Sequence, residues 1–97
     1  MVKVIRSFAD RETERVFDRQ FSRKLAPEIQ RNAGRKLELL NVARVLVDLR
    51  VPPGNRLEKL TGDRRGQHSI RVNDQLRICF LWRSGDAYEV EINDYHS

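Results

Sequence analysis

The chain has 97 residues and carries 19 Lys and Arg against 14 Asp and Glu, a formal charge of +5. That length predicts one domain, residues 1–97, with one small core, and excludes two lobes closing on a cleft. No apolar run approaches the roughly 18 residues a membrane span needs, and a single cysteine, Cys79, excludes an internal disulfide or a cysteine-based zinc site.

The positive balance favours a polyanionic partner. The opening MVKVIRSFADRE turns charged too soon for a signal peptide, so the cytoplasm is the expected compartment, with no membrane partner. Val2, Val4 and Arg6 alternate with Lys3 and Ile5, which predicts a short first strand. Asp10 can cap a helix from Arg11, and Thr13, Phe17 and Phe21 fall on one face at spacings of four. Pro27 suits the first turn of a second helix, striped by Ile29, Ala33, Leu37 and Leu40. Val42, Leu46 and Leu49 continue as a bend of that helix or a short separate one. Arg23, Lys24, Arg31, Arg35 and Lys36 make the helical surface basic. Pro52-Pro53-Gly54-Asn55 then stops all helix, and the rest reads as strands.

Pattern alone registers the strands. With Asn73-Asp74-Gln75 as a three-residue loop, Val72 faces Leu76, Ile70 faces Ile78 and His68 faces Phe80. A two-residue loop would mix the faces and lose the core side. With Ser84-Gly85-Asp86 as the second loop, Trp82 meets Tyr88, Phe80 meets Val90 and Ile78 meets Ile92. One face is then apolar and packs under the helices. His68 falls on it as a core or edge histidine.

The opposite face holds Ser69, Arg71, Arg77, Cys79, Glu91, Asn93 and Tyr95. Arg71 and Arg77 stand directly across from each other, where like charges repel. Either Glu89 and Glu91 neutralise them as a solvated ladder, or the pair grips a phosphate, for which the arginine fork is suited. Asp94, Tyr95 and His96 fall within the last four residues, and the strand's period sets Tyr95 beside Arg77. Tyr95-His96 reads as a capped strand end or as proton-transfer groups beside two arginines, a set able to cleave RNA without a metal. Cys79 has no partner base and reads as a small buried filler. Gly62-Asp63-Arg64-Arg65-Gly66 lacks the Gly-Lys-Ser/Thr ending of a P-loop; it is a solvated turn or a surface that contacts phosphates. Two histidines far apart make no metal site, and no cofactor is expected.

PPGNRLEKLTGDRRGQHSIRVNDQLRICFLW followed by EINDYH resembles the HigB family of bacterial toxins, within the RelE-like superfamily. VIRSFADRETERVF and RKLELLNVARVLVDLR resemble it less distinctively. The resemblance implies a compact α+β fold, two or three N-terminal helices packed on a mostly antiparallel sheet of four to five strands. It implies a toxin that enters the A site of the small (30S) ribosomal subunit. There it would cleave messenger RNA without a metal, the ribose 2′-OH attacking to leave a 2′,3′-cyclic phosphate. It also implies a HigA-like helix-turn-helix antitoxin, with operator DNA bound only through the toxin–antitoxin complex. By this likeness Arg77 matches the active-site arginine and Asp94, Tyr95 and His96 the catalytic cluster, while Lys59, Arg64, Arg65 and Arg71 are candidate RNA contacts. Some members carry a catalytic lysine before the Gly-Asp of the basic loop, where this chain has Thr61 and, two residues earlier, Lys59. The alternative is a non-catalytic inhibitor on the same fold, either a gyrase-poisoning ParE-like toxin or a protein that blocks the ribosome without cutting. The DYH ending argues against the gyrase reading.

Overall fold

Residues 3–94 are described by the computed structural model. Its first segment is extended but not a regular strand. It runs parallel to the last strand of the sheet through bridges at Ile5–Ala87 and Phe8–Val90. Asn41 anchors it, the side-chain Oδ1 accepting from the amides of Val4 and Ile5 at 3.0 Å each.

Helix α1 spans Arg11–Phe17, and Asp10 caps it as expected, accepting from the Thr13 amide at 2.7 Å. Thr13 also accepts from the Ile92 amide at 2.9 Å, which ties α1 to the sheet. The predicted stripe stops short of Phe21, which is 70 % exposed. The reason is a tight end. Arg19 takes a left-handed φ of 62°, the Arg19 amide donates to Val16 O, and the Gln20 amide to Arg15 O at 2.8 Å. This pair of bonds usually closes on glycine.

Helix α2 spans Pro27–Asn41, with Pro27 in the first turn. Ala33, Leu37 and Leu40 are buried, as the stripe predicts. The third segment is a separate 3-10 turn, Leu46–Arg50, whose Leu49 is buried while Val42 is exposed.

The sheet is four-stranded and antiparallel, in the order β1 (Glu58–Lys59), β2 (Gln67–Arg71), β3 (Leu76–Arg83), β4 (Asp86–Asp94). The chain between β1 and β2 is not all strand, since Gly62–Arg64 forms a 3-10 turn. With helices α1 and α2 against one face, the architecture is the expected α+β class. No helix among the described residues is long and apolar enough to cross a membrane.

The first hairpin has the predicted register, with Ile70 opposite Ile78, His68 opposite Phe80 and Arg71 opposite Arg77. Asn73 Oδ1 closes its loop by accepting from the amides of Gln75 and Leu76 at 2.8 and 2.7 Å. The second hairpin is corrected. Arg83 pairs with Asp86, so the loop is Ser84-Gly85, both at positive φ (50° and 83°). That geometry matches the twist of the flanking strands. Trp82 therefore faces Ala87, and Leu81 faces Tyr88. A bulge restores the predicted register further on. Glu89 (φ 53°) and Val90 lie where one residue would stand across from Phe80, after which Ile78 pairs with Ile92.

The core beneath the helices joins Leu37, Leu40, Ile70, Ile78, Phe80 and Val90. His68 stacks on Phe80 with ring centroids 6.2 Å apart, and its Nδ1 is buried with no hydrogen-bond partner among the described residues. Burial, then the charge of Lys59, pushes its pKa below the ordinary histidine value.

Two expectations follow from these contacts. Asp10→Ala removes an N-cap and should cost about 1 kcal/mol, lowering Tm by roughly 4–8 °C in a chain this small; thermal unfolding measures it. The depressed His68 pKa means that the unfolded chain binds its proton at a higher pH than the folded one. Stability should therefore decline as pH falls through about 6.5. Urea midpoints at neutral and mildly acidic pH should separate more for the native chain than for His68→Phe, which keeps the stack on Phe80.

Candidate active site

Arg71 ends β2 and Arg77 lies near the start of β3, across from each other on the sheet face turned away from the helices. The three-residue loop produces this, because it keeps Ile70 and Ile78 together on the core side. Arg77 is held on several sides. Its Nε donates to Ser69 Oγ at 2.8 Å, its Nη2 donates to the carbonyl of Arg56 at 2.8 Å, and Glu58 lies 3.7 Å away. The side chain is only 13 % exposed. Arg71 pairs instead with Asp74. Repulsion between the arginines is thus relieved by Glu58 and Asp74. Glu91 is committed to Arg64 at 2.9 Å, and the Glu89 amide donates to Ser7 Oγ at the far edge of β4.

Arg56, Arg71, Asn73, Asp74, Gln75 and Arg77 line a cavity of about 270 Å³. A small polar hollow lined by three arginines suits an anion, above all a phosphate ester, which arginine can hold through two parallel hydrogen bonds. The Asp74 side chain is 98 % exposed. A surface pair of that kind is worth at most about 1 kcal/mol, so a phosphate could displace it from Arg71.

The remaining predicted residues divide. Arg64 reaches the same face, donating to Glu91 Oε1 at 2.9 Å and Gln67 Oε1 at 3.0 Å. Arg65 is exposed in the adjoining loop. Lys59 is not brought to the arginines. It pairs with His68 and so shares the helix side of the sheet, whereas Glu58, one residue earlier, pairs with Ser69 and shares the side of Arg77. Asp94 pairs with Leu76, again off the arginine face, but accepts from Gln75 Nε2 at 2.9 Å at the cavity rim. Tyr95 and His96 lie outside the described residues.

Sequence reasoning missed Arg56 and Glu58. Both follow the Pro-Pro-Gly-Asn turn, where no period assigns a face. The one available signal was the two-residue alternation of β1 against β2, which puts Glu58 rather than Lys59 beside Ser69. Cys79 is buried as expected. Burial pushes its thiol pKa up, against the opposing pull of the nearby Arg64 and Arg77.

Comparison with known proteins identifies the family. Residues 6–96 match the model of a family described as the RelE-like toxin of the type II toxin–antitoxin system HigB. The chain is similar to Toxin HigB-1 of Vibrio cholerae serotype O1, 43 % identical over 91 % of this chain and 94 % of that one. It is also similar to Endoribonuclease HigB of Proteus vulgaris, 46 % identical over a shorter stretch covering 42 % of this chain and 45 % of that one. A fold of two helices on an antiparallel sheet, an arginine-lined cavity at one end of it and a family match spanning nearly the whole chain lead to one conclusion: the chain belongs to the HigB-like toxins, RelE-like toxins of type II toxin–antitoxin systems.

Proposed function

We propose that this toxin is a ribosome-dependent endoribonuclease that cleaves messenger RNA in the A site of the small ribosomal subunit and so arrests translation. The observation that carries the reading is the cavity that Arg56, Arg71 and Arg77 share beside the last residues of β4. The name of the Proteus vulgaris relative, Endoribonuclease HigB, points the same way.

In this mechanism the scissile phosphate sits against the arginines. A base takes the proton from the ribose 2′-OH, whose oxygen attacks phosphorus. The bond to the 5′ oxygen breaks as an acid protonates it, leaving a 2′,3′-cyclic phosphate and a free 5′-OH. Side chains of this kind supply both proton transfers without a metal. Asp94, Tyr95 and His96 are the candidate groups. Arg77, with Arg71 and Arg56, stabilises the charge that builds on the phosphorane. Arg64 and Arg65 add attraction for the RNA backbone.

The partner we propose is a HigA-like helix-turn-helix antitoxin, with the operator bound only through the complex. A groove of about 650 Å³ between α1 and α2 suits it. Val16 and Phe17 give an apolar floor, the exposed Phe21 an apolar lip, and Arg19, Arg31 and Arg35, against the single carboxylate of Glu38, a net basic rim. An amphipathic acidic segment complements both, and seated there it would exclude the toxin from the ribosome by bulk, leaving Arg77 uncovered. Lys36, expected on this basic surface, turns inward to Asn55 instead.

Primer extension on induced cells, beside sedimentation of toxin with ribosomes, tests the enzyme. Arg77→Ala should lower cleavage by about 10²–10³-fold, and Tyr95→Phe with His96→Ala by about 10²–10⁴-fold, with ribosome binding retained. Ribosome binding with no new RNA ends from the native toxin would make it a blocker. Inhibited DNA supercoiling would make it a gyrase poison. For the antitoxin, Phe21→Ala should weaken the complex by on the order of tenfold or more, as loss of a central aromatic contact does; titration calorimetry measures it, and an antitoxin covering Arg77 in the complex would refute this surface.

A further inference from the structure

Lys36 is half-buried, whereas Arg31 and Arg35 on the same helix are exposed. Its Nζ donates to Oδ1 of Asn55, a residue with no exposed surface. The amide of that side chain is used at both ends, since its Nδ2 donates to the carbonyls of Leu49 and Val51 at 3.1 and 3.3 Å. The Asn55 backbone amide donates to Pro52 O at 2.9 Å. Asn55 thus clasps the turn that leads from the 3-10 segment to β1, and Lys36 supplies the donor its buried oxygen requires.

The next residue, Arg56, sits at a left-handed φ of 44°. A non-glycine residue stays there only where its surroundings hold it. Two bonds depend on that bend. The Arg56 amide donates to Pro53 O at 3.1 Å, and the Arg56 carbonyl accepts from Arg77 Nη2 at 2.8 Å. Arg56 and Arg77 both line the anion cavity.

We propose that Lys36 is a positioning residue for Arg77: through Asn55 it holds the Arg56 bend, whose carbonyl aims the Arg77 guanidinium into the cavity. The effect on rate rests on the endoribonuclease reading; the geometry does not. Burial, then the positive charges of Arg35 and Arg71, holds the Lys36 pKa below the usual lysine range. The link is specific to a long donor reaching from α2. Arg77 has other contacts, among them Ser69, so loss of Lys36 should misdirect the guanidinium rather than release it.

The experiment compares the native toxin, Lys36→Met and Lys36→Arg, each also in an Arg77→Lys background. Single-turnover and steady-state cleavage of ribosome-bound mRNA is measured together with the Arg77 Nε–H signal in nitrogen–proton correlation spectra. Misplacement of a reacting group by about 1 Å can cost on the order of a hundredfold. Lys36→Met should therefore lower kcat about ten- to a hundredfold with KM little changed, and move or broaden the Arg77 signal. Lys36→Arg should restore both. In the Arg77→Lys background Lys36→Met should cost little more, because the two act in series. Equal losses in both backgrounds, or an unmoved Arg77 signal, overturn the proposal. A native toxin that cuts no RNA defeats the endoribonuclease reading alone, and the Arg77 signal then decides. If Lys36→Met does not fold, Lys36→Gln, a shorter neutral donor, replaces it, and an unmoved Arg77 signal there overturns the proposal equally.

Discussion

Strand β3 has to be buried on both faces at once, and the molecule is organised around that demand. Ile78 and Phe80 point into the core under the helices, while Cys79 between them is equally buried on the other side. A strand with one wet face could not do this. The second face is closed by long charged side chains rather than by a further layer. Arg77 crosses to Ser69, and Arg64 crosses to Glu91 and Gln67. Small residues, Ser69 and Cys79, sit buried in the middle, and Ser69 Oγ accepts from Arg77 Nε. Arginine is suited to this, with an apolar stem and a planar head carrying several donors. The residues that close this face are therefore also those proposed to hold a phosphate.

The bulge in β4 is the second consequence. The turn at Ser84-Gly85 is favoured locally, since both residues take positive φ and the strands twist correctly. Carried unbroken down the hairpin, its register would set Ile92 on the wrong side of the sheet. Glu89 absorbs the extra residue at φ 53°, and the pairing of Ile78 with Ile92 is recovered. The N-terminal segment bridges β4 on either side of this point, and Ser7 accepts from the displaced Glu89 amide. Local turn chemistry and global burial are reconciled at one residue.

The arginine pair follows the same logic. Two guanidinium groups in one cross-strand position repel, and each is given its own carboxylate, Glu58 for Arg77 and Asp74 for Arg71. The two arrangements differ in kind. Arg77 is nearly enclosed and fixed by a hydroxyl and a main-chain carbonyl as well, whereas the partner of Arg71 is a fully solvated loop residue. One arginine is preorganised and the other free to exchange partners, a division that suits a site receiving a phosphate.

Much of this was legible in the linear pattern. Alternation through His68–Val72 and Leu76–Phe80 determined the first hairpin, its core side and the opposition of Arg71 to Arg77, because a one-residue slip would turn every apolar side chain to water. Asp10, Pro27 and the Ala33–Leu37–Leu40 stripe determined the helix starts and the buried face of α2, since capping and helical period act within a few residues. Other features had no local signature. The left-handed Arg19 ends α1 before Phe21, and the bulge at Glu89 depends on what Ile92 must face. The side of the sheet on which Lys59 falls was decided by pairing with β2, and the inward turn of Lys36 by a buried amide 19 residues away. Sequence period specifies which side chains share a face of one element. Which elements meet, and so which arginine, carbonyl and carboxylate surround one cavity, is decided only when burial and hydrogen bonding are satisfied across the whole chain.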